Sequence, residues 1–281
     1  MDFYSLGNKA TMSNVSNSFP KFNYKPVIIY YFINPFCKRC WSIEPFIRKL
    51  VIEYGQFLTV RPIISHLYFY KNSMLTNSTS LQVSNNDKTY IFLAIKAAAL
   101  QGNKAHYDFL RNIQRNLFLP TVTDDSVEQM VIRSAENANI DVDEFKRDLL
   151  SYSAKKAYQC DGKLQREMNV SQFPTLVFFS QYIEDYSLKI SGIQSYETYI
   201  YLLKQMIQHD IQPSNKPSME SFIEENKVVS PEEIAIIYDS SIPTVENKLK
   251  RLQLMRKVNR IKINQQHLWK TTSVQDKYIS N

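Results

Sequence analysis

Glycine is scarce in this 281-residue chain. The five present, Gly7, Gly55, Gly102, Gly162 and Gly192, are too scattered to form a G-x-G-x-x-G or a phosphate-cradling loop. Nucleotide chemistry therefore has no loop to work from. Histidine is scarcer still: His66, His106, His209 and His267 stand far apart, and neither H-E-x-x-H nor G-x-S-x-G occurs. A metalloprotease or an ordinary hydrolase has nothing to point to. No run approaches the roughly 18 apolar residues of a membrane-spanning helix. The first twenty residues are polar and lack the basic start and apolar stretch of a secretory signal. The expectation is a cytoplasmic protein in which thiols stay reduced. Three cysteines cannot make a disulfide framework.

Hydrophobic residues make up 44% of the chain and charged residues 22%, enough for an ordinary core. The length suits one large domain and a small one. Lys and Arg outnumber Asp and Glu, 34 to 27, a net charge of +7. That favours an acidic partner, but the charge is spread along the chain and is too mild to establish nucleic-acid binding.

Residues 1–24 read as a flexible tail. Val27 to Ile33 reads as a strand. N-P-F-C-K-R-C-W follows, and then Ile43, Phe46, Ile47, Leu50 and Val51 recur at helical spacing as far as Gly55. Leu58 to Ser65 reads as a second strand, joined through a right-handed crossover. A polar, Asn- and Ser-rich connection is expected over 66–88, then a helical insertion over about 88–168. Asp141 and Glu144 within it are spaced like a capping box. Phe173 to Phe179, with Pro174 at its mouth, and Tyr186 to Gly192 read as strands, and a helix closes the unit. The order is βαβ, helical insertion, ββα. Residues 211–218, with two prolines, read as a linker. Ser230, Pro231 and Glu233 then supply N-cap, N1 and N3 of a helix. Helix, turn, helix and an alternating strand over about fifty residues point to a small winged-helix-like domain within 219–281.

The cysteine pair carries the chemistry. Cys37 falls at the start of a helix, where unpaired N–H groups and the helix dipole stabilise a thiolate, and Lys38 and Arg39 add positive charge. Such a dithiol exchanges with partner disulfides. Two other readings stand beside it: an inert inherited motif, and a zinc site that would require Cys160 and a histidine to converge with the pair. Cys160 taken alone reads as a buried small hydrophobe rather than a resolving thiol.

N-P-F-C-K-R-C-W-S-I-E-P, R-P-I-I-S-H, A-I-K-A-A-A-L-Q-G and E-M-N-V-S-Q-F-P-T-L-V-F-F together resemble a DsbA-like thioredoxin domain. That resemblance implies an α/β thioredoxin fold in residues 25–210, with Pro174 as the cis-proline opposite Cys37 and Cys40. With the further C-terminal domain, the whole chain resembles the SpxH/YjbH family of low-GC Gram-positive bacteria. Its members are non-enzymatic stress-response adaptors that bind the transcription regulator Spx and promote its degradation by the ClpXP protease. The resemblance implies Spx as partner, possible contact with ClpX, no cofactor and no catalytic residue. The alternative it leaves is a cytosolic thiol–disulfide oxidoreductase using Cys37, Cys40 and Pro174. Two departures stand out. Residues 1–24 hold neither His nor Cys, so no metal is carried over, and Lys38 and Arg39 replace the proline-containing dipeptides of exported oxidases. The family offers no motif for a partner-binding surface.

Lys248, Lys250, Arg251, Arg256, Lys257, Arg260 and Lys262 fall within fifteen residues of the C-terminal domain. A DNA-binding regulator is therefore a second alternative. Glu224, Glu225, Glu232 and Glu233 lie just before the run, and the expectation is that nucleic acid is not the partner.

Overall fold

The computed structural model describes residues 25–64, 84–119, 126–182, 186–207, 210–263 and 266–272. The expected tail over 1–24 and most of the connection over 66–88 lie outside the described residues. The end of that connection is helical: Ser84 caps a helix that begins at Asn85, and Ser84 and Asp87 form a reciprocal capping box.

The first sheet has the order β2-β1-β3-β4. β1 (Val27–Ile33) pairs in parallel with β2 (Leu58–Ile64) and antiparallel with β3 (Thr175–Ser180), which pairs antiparallel with β4 (Ser187–Ser191). β1 is central and apolar on both faces, as a strand covered on two sides must be. α1 (Lys38–Tyr54) makes the crossover from β1 to β2 and lays Ile43, Ile47 and Leu50, all fully buried, into the main core. Among the described residues five helices separate β2 from β3: α2 (Asn85–Leu100), α3 (Asn103–Phe118), α4 (Val127–Asn137), α5 (Val142–Leu149) and α6 (Tyr152–Glu167). Ser126, Asp141 and Ser151 cap α4, α5 and α6 with their side chains. α7 (Tyr196–Ile207) packs back on the sheet through Tyr199, Leu203 and Met206. On the other face Phe32, Ile63, Val170 and Val177 form a smaller cluster.

Beyond residue 210 the chain builds α8 (Met219–Asn226), β5 (Val228–Val229), α9 (Pro231–Ile237), α10 (Ile242–Leu254), β6 (Val258–Ile263) and β7 (Gln266–Thr271). The three strands form a second sheet in the order β5-β7-β6. Phe222, Ile223, Ile234, Ile237, Leu249 and Trp269 fill its core. Three of these elements escape sequence reading. α8 is eight residues long and β5 only two. β7 opens on Gln266 and His267, which obscure its buried Leu268 and Trp269.

Residues 210–218 have no regular structure, yet they are tied down. Ser214 N–H donates to the Glu53 carbonyl at 2.7 Å, and Ile211 is buried. Lys216 joins Glu53 of α1 at 2.9 Å and also pairs with Asp239.

Candidate functional site

Cys37 is the N-cap of α1, and its side chain makes no capping hydrogen bond. Its N–H donates to the Asn34 carbonyl at 3.0 Å, and its carbonyl accepts from Trp41 N–H at 3.1 Å. Both thiols of the pair are free and buried, Cys40 completely and Cys37 to 8% exposure. The Cys37 pKa is lowered to about 6. The largest cause is the hydrogen bond from the Cys40 thiol. Burial opposes it, and the backbone N–H groups of Cys40 and Arg39 and then the Arg39 charge assist. The N–H groups and the Arg39 charge expected from the sequence thus contribute, but the neighbouring Cys40 thiol comes before them, and Lys38 is not among the causes. Burial, and next the hydrogen bond with Cys37, push the Cys40 thiol up. One low-pKa thiol beside one high-pKa thiol is a nucleophile with a proton-holding neighbour.

The Phe173–Pro174 peptide bond is cis. Thr175 pairs with Phe32, so Pro174 stands beside the end of β1 from which the cysteine loop departs. The Pro174 carbonyl accepts from Gly192 N–H at 2.8 Å. Cys160 does not join the pair. It is exposed on α6, off the stripe of Ala154, Tyr158 and Asp161 that the helix buries, which corrects its reading as a core residue. Among the described residues no three His, Cys, Asp or Glu side chains gather as a metal set.

From Cys40 a second feature runs along α1. Cys40, Glu44 and Arg48 follow at intervals of four, so they share one stripe of the helix. Tyr31 from β1 donates its hydroxyl to the Cys40 carbonyl at 2.9 Å, and Tyr107 from α3 donates to Glu44 Oε1 at 2.9 Å. Arg48 donates to Glu44 at 2.7 Å and to Glu233 of α9 at 2.9 Å. Arg111 of α3 reaches the same Glu233 oxygen at 2.6 Å. Asn226, at the end of α8, accepts from both arginines. All four charged side chains are buried. Burial works against ionising Glu44, but Arg48 and Arg111 outweigh it and hold the carboxyl below its ordinary range. Burial lowers the nearby Arg115 to about 10, helped by the Arg111 charge, and its guanidinium donates to the Val228 carbonyl at 3.3 Å. Further along α1, Lys49 pairs with Asp239 and lies 4.0 Å from the Tyr196 ring centroid.

This ionic clamp joins α1 and α3 to α8 and α9, and sequence reasoning missed it. Glu44 and Arg48 have the i, i+4 spacing of an ordinary surface pair. Glu233 was readable only as an N3 residue: its N–H does bond Ser230 Oγ at 3.1 Å, but its carboxylate turns to the arginines. It is therefore no part of an exposed acidic flank.

Comparisons with known proteins fit this architecture. A family model described as Thioredoxin matches residues 30–201. The ClpXP adapter protein SpxH of Bacillus cereus is 39% identical over 271 residues, covering 88% of this chain and 91% of that protein. The protein of the same name from Bacillus subtilis is 39% identical over 281 residues, covering 91% and 93%. Among solved structures, a thioredoxin-like oxidoreductase from Silicibacter pomeroyi is 13% identical over 66% of this chain and 89% of its own, with a TM-score of 0.45. The relatives cover 88% and 91% of this chain, more than the thioredoxin match over 30–201, so the likeness is not confined to the thioredoxin domain. By that reach and that identity, the chain belongs to the thioredoxin-fold family of SpxH adapter proteins.

Proposed function

We propose that this protein is a cytoplasmic, non-enzymatic adapter that binds the transcription regulator Spx and promotes its degradation by ClpXP. The observation that carries the reading is the 39% identity to ClpXP adapter proteins over about nine-tenths of both chains. The clamp supports it. An adapter works by lending a fixed surface, and buried ion pairs that fix one arrangement of elements suit that role. The division of labour we infer is a DsbA-like thioredoxin domain over 25–210, a strapped linker over 211–218, and a small winged-helix-like domain over 219–281. No described helix is long and apolar enough to cross a membrane.

The test is reconstitution. Purified ClpX, ClpP and Spx are combined with ATP and reductant, with and without the protein. The expected result is faster loss of Spx, with a non-partner substrate unaffected. No acceleration at saturating protein overturns the adapter reading.

A second reading has one specific observation in its favour. The Cys37 thiol, lowered to about 6, is mostly thiolate at neutral pH and suits a thiol–disulfide oxidoreductase with Cys40 as resolving thiol. Mixed disulfides trapped on Cys37 by Cys40→Ala in cell extract support that reading.

A further inference from the structure

Residues 247–272 contain Lys248, Lys250, Arg251, Arg256, Lys257, Arg260, Lys262 and Lys270 and not one carboxylate. α10 explains how the first of these are displayed. It buries Val245 and Leu249 against the C-terminal core, so the opposite face looks outward. Lys248, Lys250 and Arg251 are exposed there, and Arg256 follows in a left-handed turn with φ 56°. Arg260 and Lys262 alternate on the exposed face of β6, which among the described residues pairs only with β7, at the edge of its sheet. Lys257 is held by Glu220 at 2.7 Å. Among the described residues Lys248, Lys250, Arg251, Arg256, Arg260 and Lys262 form no ion pair.

Two apolar side chains sit inside this charge. Leu254 is 85% exposed and Met255 61%, and no described large apolar side chain is more exposed than Leu254. Leu254 lies one helical turn from Lys250 and Arg251, and Met255 one turn from Arg251, so cations flank both. A solvated helix end does not need an exposed leucine as its last residue and an exposed methionine as its C-cap. A phosphate backbone would neutralise the cations but leave both side chains in water, since its contacts are charge contacts. A protein segment with carboxylates around an apolar stripe satisfies both halves of the surface.

We propose that the outward face of α10, with the turn that follows it, docks an acidic amphipathic segment of a partner protein, with Leu254 and Met255 as apolar anchors and Lys250, Arg251 and Arg256 as the rim. The inference deepens the adapter reading and rests on it for the existence of a protein partner.

The experiment uses the full chain and fluorescence anisotropy. The probe is a fluorescein-labelled helical peptide of about five turns, with Glu on one face and Leu at i, i+3 and i+4 positions on the other. A copy with every Leu changed to Ser and a duplex DNA of similar length are compared with it. The variants are Leu254→Ser with Met255→Ser, and Lys250→Glu with Arg251→Glu. All four positions are exposed, and melting curves check that folding is unchanged. The amphipathic peptide should bind the wild type. Its affinity should fall about tenfold or more in either double variant, in line with removing apolar burial or charge complementarity. The Leu-to-Ser peptide and the DNA should bind more weakly. No peptide binding at roughly 100 μM protein, where even a modest interface gives signal, overturns the proposal. So does equal binding of the DNA or the Leu-to-Ser peptide, or equal binding by the variants. The same preparations enter the Spx degradation assay. Peptide binding without accelerated degradation leaves the docking face standing and removes the adapter reading; acceleration without peptide binding does the reverse.

Discussion

At the residue scale the buried side chains set two pH dependences. Cys37 attacks only as thiolate, and its pKa is lowered to about 6, first by the hydrogen bond from Cys40. Alkylation of Cys37 by iodoacetamide, followed by mass spectrometry, should be half-maximal near pH 6 and flat above about pH 7. It should fall tenfold per pH unit below the midpoint. In Cys40→Ala the midpoint should move up, because the leading cause is gone; an unmoved midpoint would mean that the helix start alone sets it. His106 of α3 supplies the second case. Burial, and then the Lys96 charge, lower its pKa to about 3, and its Nε2 has no partner among the described residues. The unfolded chain protonates its histidines near pH 6.5, so between about 6.5 and 3 the unfolded state binds more protons. Stability is therefore complete above pH 6.5 and declines as the pH falls. At pH 5 the loss from this residue is about 2 kcal/mol. Denaturant melts at pH 7 and pH 5 should show it, and His106→Phe should remove that part of the slope. At this scale the sequence was a partial guide. The C-x-x-C spacing placed Cys37 and Cys40 at a helix start correctly, because helix position is local. The N–H groups and the Arg39 charge that lower the Cys37 thiol were readable, but the leading cause, the Cys40 thiol, was not, because it depends on where that sulfur points. Cys160 was misread for the same reason: whether a cysteine lies on a buried or an exposed stripe of its helix depends on what packs there.

At the element scale α1 joins the two halves of the chain, since it is buried on two sides. Ile43, Ile47 and Leu50 face the main core, as their spacing indicated. Glu44, Arg48, Lys49 and Glu53 look solvated in the sequence and are buried, and the Glu233 and Asp239 that meet Arg48 and Lys49 lie 185 and 190 residues further along the chain. Nothing local reveals this, because a charged residue at a helical surface position reads the same whether water or Glu233 lies above it. Glu233 is the residue to remove. It accepts from Arg48 and Arg111 together, so Glu233→Ala leaves two buried guanidinium groups short of their counter-charge. Breaking a buried pair in this way costs about 3–5 kcal/mol, far more than an exposed pair. The expected outcome is a lower melting temperature together with faster amide exchange in α8 and α9. Exchange in β1 and β3 should change least. Uniform acceleration across the chain would instead mean that the clamp stabilises the whole fold and not the docking of its C-terminal elements. The strap over 210–218 belongs to the same test. With Ser214 on Glu53 and Lys216 on Asp239, it should resist protease in the wild type and be cut sooner in Glu233→Ala.

At the scale of the whole molecule the question is whether the dithiol or the surface performs the work. The thioredoxin fold was legible because its marks are local: an apolar strand, C-x-x-C, a helix, and a proline at the mouth of a later strand. The C-terminal elements were half legible. Ser230 and Pro231 announced α9, while α8 and β7 passed unread. An adapter needs complementary contacts over about 800 Å² per partner. Cys40 is fully buried and Cys37 is 8% exposed, so the two sulfur atoms offer almost none of that area. An oxidoreductase, by contrast, needs the Cys37 thiolate in every turnover. The double variant Cys37→Ala, Cys40→Ala therefore separates the two. The Tyr31 hydroxyl bonds the Cys40 carbonyl rather than its thiol, so that contact survives the change, and a melting curve confirms the fold. On the adapter reading, with reductant present, the variant should bind Spx and accelerate its degradation by ClpXP to the same extent as the wild type. Loss of acceleration in a well-folded variant sinks the surface reading. If activity is kept in reductant but the response to an added disulfide such as oxidised glutathione differs from wild type, the pair is a redox input. Its route would run along α1, where Cys40, Glu44 and Arg48 share one stripe that ends at the clamp on Glu233. In that case Glu233→Ala should blunt the oxidant response as well, since it cuts the stripe from the elements it holds.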